Sequence, residues 1–119
     1  IYEAAKIIGD MIADGLSIIE YLAANAEQYL RAYGFETTFE GYKVYAINRA
    51  LINSDFFESI DASKYDMFIG FSFNGSMLEY QLRSAEQDKV NVYELAVKYG
   101  GGGHPNAAGF RSDKYVLGV

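Results

Sequence analysis

The stretch Gly100–Phe110 reads GGGGHPNAAGF, and its four glycines stand directly before the only histidine and the only proline of the chain, His104 and Pro105. Glycine loses more backbone freedom on folding than any other residue, so a run of four is costly to order. Its usual benefit is that bare backbone N–H groups can come close to a ligand. Pro105 suits the first position of a helix, and Gly109 suits the position just after its end. We therefore predict a glycine loop that leads into a short helical turn, whose start offers N–H donors to a phosphate.

His104 stands at or near the cap of that predicted turn. Its imidazole can donate to a phosphate oxygen from one ring nitrogen when neutral and from both when protonated. A simpler explanation of the run is a flexible helix end, for which one glycine would be enough. No Gly-Lys-Ser or Gly-Lys-Thr follows, so the run is not a P-loop, and a helix is predicted before it, which disfavours a dinucleotide fingerprint.

The region before the glycines is predicted to be rich in β-strands. Glu40-Gly41 suits a turn, and Asn74-Gly75 is the strongest short-range signal for a two-residue type I′ hairpin turn. The alternating apolar residues around these turns predict strands over 35–39, 42–48, 67–73 and 77–83.

Two short helices and a last strand complete this region. Asn91 followed by Glu94 predicts the start of a helix that runs into the glycines. Asn53-Ser54-Asp55 could cap a short helix through Ile60, and residues 110–119 are predicted to contain a strand.

Residues 1–34 show a helical pattern that ends at Gly34. Ser17-Ile18-Ile19-Glu20 resembles a capping box, so the segment could form two helices or one kinked helix. Its apolar stripe predicts a face that packs on a core. The stripe comprises Ile8, Met11, Gly15, Ile18, Leu22, Ala26, Tyr29 and Tyr33.

The order of these elements predicts an α+β fold, with a mixed β-sheet packed against helices. We expect residues 1–34 to be a helical linker and residues 35–119 to be the functional domain. At 119 residues, with half of them apolar, the chain is large enough for one real core. It has no cysteine, which excludes disulfides and thiolate metal sites. No signal peptide or transmembrane run is evident, so we expect a cytoplasmic protein without membrane contact.

The net charge of −6 is unevenly distributed. Residues 1–73 hold five basic and eleven acidic side chains and therefore carry all of it, whereas residues 74–119 hold five of each. A long polyanion is a poor partner for such a chain. A short phosphate ligand held by a few placed groups is compatible with it.

Arg83 is the second candidate for binding phosphate, since its planar fork suits bidentate contact. It falls on the strand face opposite Tyr80 and Leu82, at the strand's end. The alternative is a surface arginine paired with Glu79, four residues earlier on the same face of the strand. One histidine, no cysteine and scattered acids offer no convincing metal site, and no motif indicates a serine nucleophile.

The stretch from Gly101 to Phe110 resembles the GGGHxxAAG signature of the DHH-associated domain, first subtype. That domain is the C-terminal lobe of DHH phosphoesterases, which include RecJ-type exonucleases, nanoRNA and dinucleotide phosphodiesterases, and exopolyphosphatase-like enzymes. Leu82-Arg83-Ser84 and the strand that ends at Phe73 fit the same layout, so the resemblance covers about Thr37 to Val119. Gln81 departs from it, because relatives often carry a small polar residue there.

The resemblance implies a division of labour with an upstream DHH domain of the same polypeptide, which would hold manganese. It assigns phosphate binding to Arg83, Gly101, Gly102, Gly103 and His104, and to His104 also the stabilisation of charge at the scissile group. This chain lacks the Asp-His-His motif, so no metal or cofactor is expected in it and the isolated domain is expected to be an inactive part of a hydrolase. The substrate would be a short nucleic acid or a small phosphate ester. The alternatives are a non-catalytic nucleotide- or phosphate-binding regulatory module and an oligomerisation domain.

Overall fold

A computed structural model describes residues 2–53 and 55–118; in the first helix the side chains at 2–5, 12 and 14–23 lie outside that description. Within these described residues, two helices and six strands form the domain, with a 3₁₀ turn at Ala62–Lys64. In chain order they are α1 (Tyr2–Tyr33), β1 (Phe35–Phe39), β2 (Tyr42–Asn48), β3 (Met67–Phe73), β4 (Leu78–Ser84), α2 (Val92–Lys98), β5 (Gly102–His104) and β6 (Ala107–Ser112).

The six strands form one sheet in the order β1-β2-β3-β4-β6-β5. β2 and β3 run parallel, and every other neighbouring pair is antiparallel. The predicted α+β fold with a mixed sheet is therefore confirmed. Within the described residues, no helix is both long and apolar enough to cross a membrane.

The first face of the sheet packs against α2. Alternate residues of each strand point to this side, because side chains alternate between the two faces of a strand. Tyr80 and Leu82 of β4 are 1% exposed there, and Val92 and Ala96 of α2 cover them. Asn91 caps α2 as predicted, since its Oδ1 accepts from the Glu94 N–H at 3.3 Å.

The second face is covered over only part of its width. Above β2 and β3 lie the end of α1 and the segment 52–62, which bury a second apolar cluster. Its buried members are Leu30, Ile47, Ile52, Phe56, Phe57, Tyr65 and Phe68. Over β4, β6 and β5 the same face remains open, with long side chains on β4 and glycine or alanine opposite them on β6.

The predicted bounds of β1, β2 and β3 are confirmed, and Glu40 and Gly41 form the first turn with positive φ values of 51° and 82°. The β3–β4 turn differs from the two-residue turn predicted, because residues 74–77 all lie between the paired Phe73 and Leu78. The Oδ1 of Asn74 accepts from the Ser76 and Met77 N–H groups at 2.9 Å each. Asn74 thus forms an Asx turn, which closes a longer loop.

The short helix predicted through Ile60 is wrong. Residues 55–59 form turns, and the 3₁₀ turn follows at Ala62–Lys64, where Asp61 caps it by accepting from Ser63 N–H at 3.0 Å. Ser54, part of the predicted cap, lies outside the described residues. The predicted last strand is shorter at its C-terminal end, because β6 ends at Ser112.

Residues 2–33 form one helix rather than two. The prediction that its stripe packs on a core is confirmed at Ala26 and Tyr29, which border the second cluster, but it is wrong at Ile8 and Met11, which are 57% and 67% exposed. Tyr33 is also exposed. The structure describes only the backbone at the stripe positions Gly15, Ile18 and Leu22.

Candidate functional site

The first glycine of the run ends α2. Gly100 has a φ of +84°, and its N–H donates to Val97 O at 2.9 Å, while the Gly101 N–H donates to Ala96 O at 2.8 Å. This pair of bonds is the Schellman arrangement, which satisfies the last carbonyls of a helix. The simpler explanation, a glycine that terminates a helix, therefore accounts for Gly100 alone.

Gly101 and Gly103 let β5 lie close to β6. A Cβ at position 101 would stand 2.0 Å from the carbonyl oxygen of Gly109. A Cβ at position 103 would stand 2.6 Å from Ala108 Cα, and Gly103 also has a φ of +139°. Both glycines are therefore required by the fold, whatever else they do.

Gly102 has no such structural requirement. A Cβ there would meet nothing within 4 Å, and its φ lies outside the region that disfavours side chains. Backbone packing therefore does not explain this glycine, and open space in front of the backbone is what a closely approaching ligand would need.

The predicted helical turn after the glycines is wrong, because β5 and β6 form a hairpin with Pro105 and Asn106 at its tip. The fixed φ of proline suits the second position of a β-turn as well as the first position of a helix. The tip is anchored on the segment before α2: Pro105 O accepts from the Val92 N–H at 2.9 Å, and Asn106 Oδ1 accepts from the Asp88 N–H at 2.7 Å. His104 thus lies at the end of an edge strand rather than at the start of a helix.

Two rows of residues cross β4, β6 and β5 on the open face. In antiparallel pairs, residues directly opposite each other point to the same side of the sheet. The pairing therefore sets an arginine and a histidine two strand spacings apart, about 10 Å, with one alanine between them. The rows are Arg83–Ala107–His104 and Gln81–Gly109–Gly102.

These rows form a depression of about 280 Å³, which we call the glycine groove. Its floor consists of Gly102, Ala107 and Gly109, and Gln81 and Arg83 form one wall. The outer edge of β5 borders it, since β5 is the last strand of the sheet in the part of the chain that the structure describes. His104 is exposed at the end of that strand.

Arg83 is partly tied to the fold. One terminal nitrogen donates to Ile52 O at 3.1 Å, while its Nε is buried and has no hydrogen-bond partner. Within the described residues no carboxylate forms an ion pair with it. The alternative pairing with Glu79 is wrong, because Glu79 Oε1 lies 3.2 Å from Arg111 Nε instead. The guanidinium charge therefore stands uncompensated beside the groove.

Gln81 is a site residue that the sequence did not reveal. Its Oε1 accepts from the Ile52 N–H at 3.0 Å. Since Arg83 donates to Ile52 O, the two side chains together bind both the N–H and the carbonyl of Ile52. Gly70 makes room for that residue, because a Cβ there would stand 1.8 Å from Ile52 Cδ1. The sequence marked Gln81 by its place on the same strand face as Arg83 and by its departure from the family pattern, and it assigned the residue no role.

The structure thus brings four of the five predicted site residues together around the groove. Arg83 forms its wall, Gly102 and Gly103 line it, and His104 extends the Arg83 row. Gly101 lies beside it and lines an adjoining depression of about 410 Å³.

No family model matches the sequence, and no curated protein matches it significantly. Solved structures do match. The pGpG-specific phosphodiesterase PggH from Vibrio cholerae has a TM-score of 0.62 at 14% identity, over 84% of this chain and 36% of its own. An uncharacterized protein from Helicobacter pylori G27 has a TM-score of 0.53 at 22% identity, over 67% of this chain and 23% of its own.

At these identities the likeness shows the fold. The chain shares the fold of part of PggH. It spans well under half the length of either protein.

Proposed function

We propose that this chain is the substrate-binding lobe, of the DHH-associated type, of a manganese-dependent phosphoesterase. Its substrate would be a short oligonucleotide or another small phosphate ester. The observation that carries the proposal is the glycine groove, where an uncompensated arginine stands over a floor of glycine and alanine. The fold, shared with part of a pGpG-specific phosphodiesterase, supports it.

In this proposal the groove binds and orients phosphate. Arg83 donates to phosphate oxygens and offsets their charge. Gly102 lets the phosphate approach the backbone of β5, and His104 donates from its imidazole at the far end of the row. Such donors fix the scissile bond in position and stabilise the charge that develops on it.

The proposal places the metal in a separate DHH domain of the same polypeptide. Among the side chains that the structure describes, no group of three or more His, Cys, Asp or Glu could hold a metal ion. The residues present therefore do not fit a manganese centre, and no step of the binding described above depends on one. In the DHH domain, manganese would supply activation of water.

Titration calorimetry of the chain with pyrophosphate and with a 5′-phosphorylated dinucleotide tests the binding role. We expect both to bind, and Arg83→Ala to weaken binding about tenfold or more, since a hydrogen bond to a charged group contributes about 1.5–3 kcal/mol. Arg31→Ala is the matched control, because it removes one positive charge from an exposed pair on α1. Equal losses in the two variants, or no binding by the wild type, would contradict the proposal.

Hydrolysis is tested separately. We expect the purified chain with manganese to leave the dinucleotide intact, because the catalytic half lies elsewhere. Turnover that follows the chain through purification and disappears in Arg83→Ala would show that the chain carries its own catalytic centre.

A further inference from the structure

A second cavity lies on the opposite side of Arg83 from the glycine groove. It has a volume of about 280 Å³ and is bounded by the buried rings of Phe57 and Phe68 and by Ala62. Its rim carries two carboxylates, Asp55 and Glu58. Because Arg83 lines both spaces, they share a wall.

The cavity is small for a ligand site, since such sites usually measure about 300–1,000 Å³. It would hold one ring system rather than a whole dinucleotide. The lining of the cavity is mixed, with two aromatic rings on one side and charged groups at the rim. A site that combines aromatic and polar groups in this way suits an unstacked nucleobase.

The two carboxylates specify which polar edge would fit. Both residues are exposed, and within the described residues neither side chain makes an ion pair or accepts a hydrogen bond. An ionised carboxylate only accepts hydrogen bonds, so it selects a ligand edge that carries N–H donors. Guanine presents two adjacent donors, its ring N1–H and its 2-amino group, which match the two oxygens of one carboxylate, whereas adenine presents a single amino group beside an acceptor.

We propose that this cavity is a nucleobase subsite, in which Asp55 and Glu58 accept hydrogen bonds from the base and favour guanine over adenine. The inference rests on the proposed function, because it takes Arg83 as the phosphate anchor. A phosphate held at Arg83 leaves its own nucleoside next to the cavity. The site would therefore bind a base on one side of Arg83 and a phosphate on the other.

Nuclear magnetic resonance titration of the isotope-labelled chain with GMP, AMP and inorganic phosphate tests this subsite. We expect GMP to bind about tenfold tighter than AMP, the discrimination typical of a matched hydrogen-bonding pair. GMP should shift the Phe57 and Phe68 amide signals, and inorganic phosphate should not.

Two variants separate the base from the phosphate. Asp55→Asn combined with Glu58→Gln should reduce the affinity for GMP to the level of the affinity for AMP. The same variant should bind inorganic phosphate at least as tightly as the wild type. Ala62→Leu, which fills the half-exposed rim of the cavity, should lower the affinity for both nucleotides to that for phosphate. Glu27→Gln combined with Asp113→Asn makes the same change in net charge away from the cavity and should leave the preference for GMP intact.

Equal affinities for GMP and AMP in the wild type, together with phosphate binding that depends on Arg83, would overturn this inference and leave the proposed function standing. The same holds if the Asp55 and Glu58 variant keeps its preference for GMP. If neither phosphate nor either nucleotide binds, the proposed function fails, and the subsite fails with it.

Discussion

At the scale of single residues, the run Gly100–Gly103 combines different physical needs in neighbouring positions. Gly100 supplies the positive φ that ends α2, and Gly101 and Gly103 allow two strands to approach. Gly102 satisfies neither need, so it is the position of the run where a ligand is the best explanation. The distinction depends on where each absent Cβ would point.

Alanine substitutions separate these roles. We expect Gly102→Ala to fold with unchanged or slightly higher stability. Where alanine fits, it lowers the conformational entropy of the unfolded chain, and this stabilises a protein by about 0.4–1 kcal/mol. It should nevertheless weaken pyrophosphate binding about tenfold, because the new methyl group would occupy the groove. Thermal unfolding and calorimetry measure the two effects. If Gly102→Ala bound pyrophosphate as tightly as the wild type, Gly102 would not be part of the binding site.

Gly101→Ala is the matched comparison. Its methyl group would stand 2.0 Å from the Gly109 carbonyl oxygen, so strand β5 must shift. We expect a loss of more than about 2 kcal/mol in the free energy of unfolding, since overpacking against backbone is among the costly substitutions.

At the scale of elements, α1 packs unevenly along its length. Leu30, near its C-terminus, is 1% exposed within the second cluster, whereas Met11 is 67% exposed. The C-terminal Gly34 lies against Tyr45, whose OH donates to Leu30 O at 3.1 Å. The last turns of α1 are therefore part of the core. The predicted boundary between residues 34 and 35 stays a prediction.

Two truncations of side chains in α1 test this difference. Leu30→Ala should destabilise the chain by about 2–5 kcal/mol, the usual cost of a cavity in a core. Met11→Ala should change the stability by less than about 0.5 kcal/mol, as expected of an exposed position. Urea unfolding measures both. A similar loss in the two variants would mean that the exposed half of α1 also stabilises the fold.

At the scale of the whole molecule, Glu40 connects the first strand pair to the end of α2. Its carboxylate accepts from Lys98 Nζ at 2.7 Å and from the hydroxyl of Tyr99. These hydrogen bonds hold the pKa of Glu40 below its ordinary value of 4.5. Burial, with the bond to Glu40, raises the pKa of Tyr99 from 10.0 to about 12.

The two shifts act at opposite ends of the pH range. Because its folded-state pKa is lowered, Glu40 stabilises the fold above pH 4.5, and this contribution is lost as the pH falls through the lowered value. Because its folded-state pKa is raised, Tyr99 stabilises the fold below pH 10, and this contribution is lost between pH 10 and about 12.

Glu40→Gln should therefore be less stable than the wild type at pH 7, and the difference should shrink as the pH falls below 4.5. Part of the loss of stability at alkaline pH should persist in this variant, since burial and the hydrogen bond to Glu36 also raise the pKa of Tyr65 to about 12. Urea unfolding from pH 3 to about pH 12 provides the measurement, with Glu27→Gln as the control that changes the charge on α1. A difference that does not depend on pH would contradict this role of Glu40.

Much of the architecture followed from the sequence alone, because the signals are local. Alternation of apolar residues over 35–39 and 42–48 and the Asn91 cap of α2 depend on neighbours within one turn or strand. The glycine run and Arg83 were also recognisable as candidates, because their residue types suit phosphate.

Only the tertiary structure decided how these candidates are arranged. Pro105 fits a helix start and a β-turn equally well, and the pairing of β6 with β5 and with β4 selects the turn. That pairing also sets Arg83 and His104 in one row and makes the space between them a groove. The hydrogen bonds between the backbone of Ile52 and the side chains of Gln81 and Arg83 could not be foreseen either, because they join residues about 30 positions apart. Which strands become neighbours, and which distant residues meet, is decided when separate segments pack together, so a pattern within one strand or turn does not specify it.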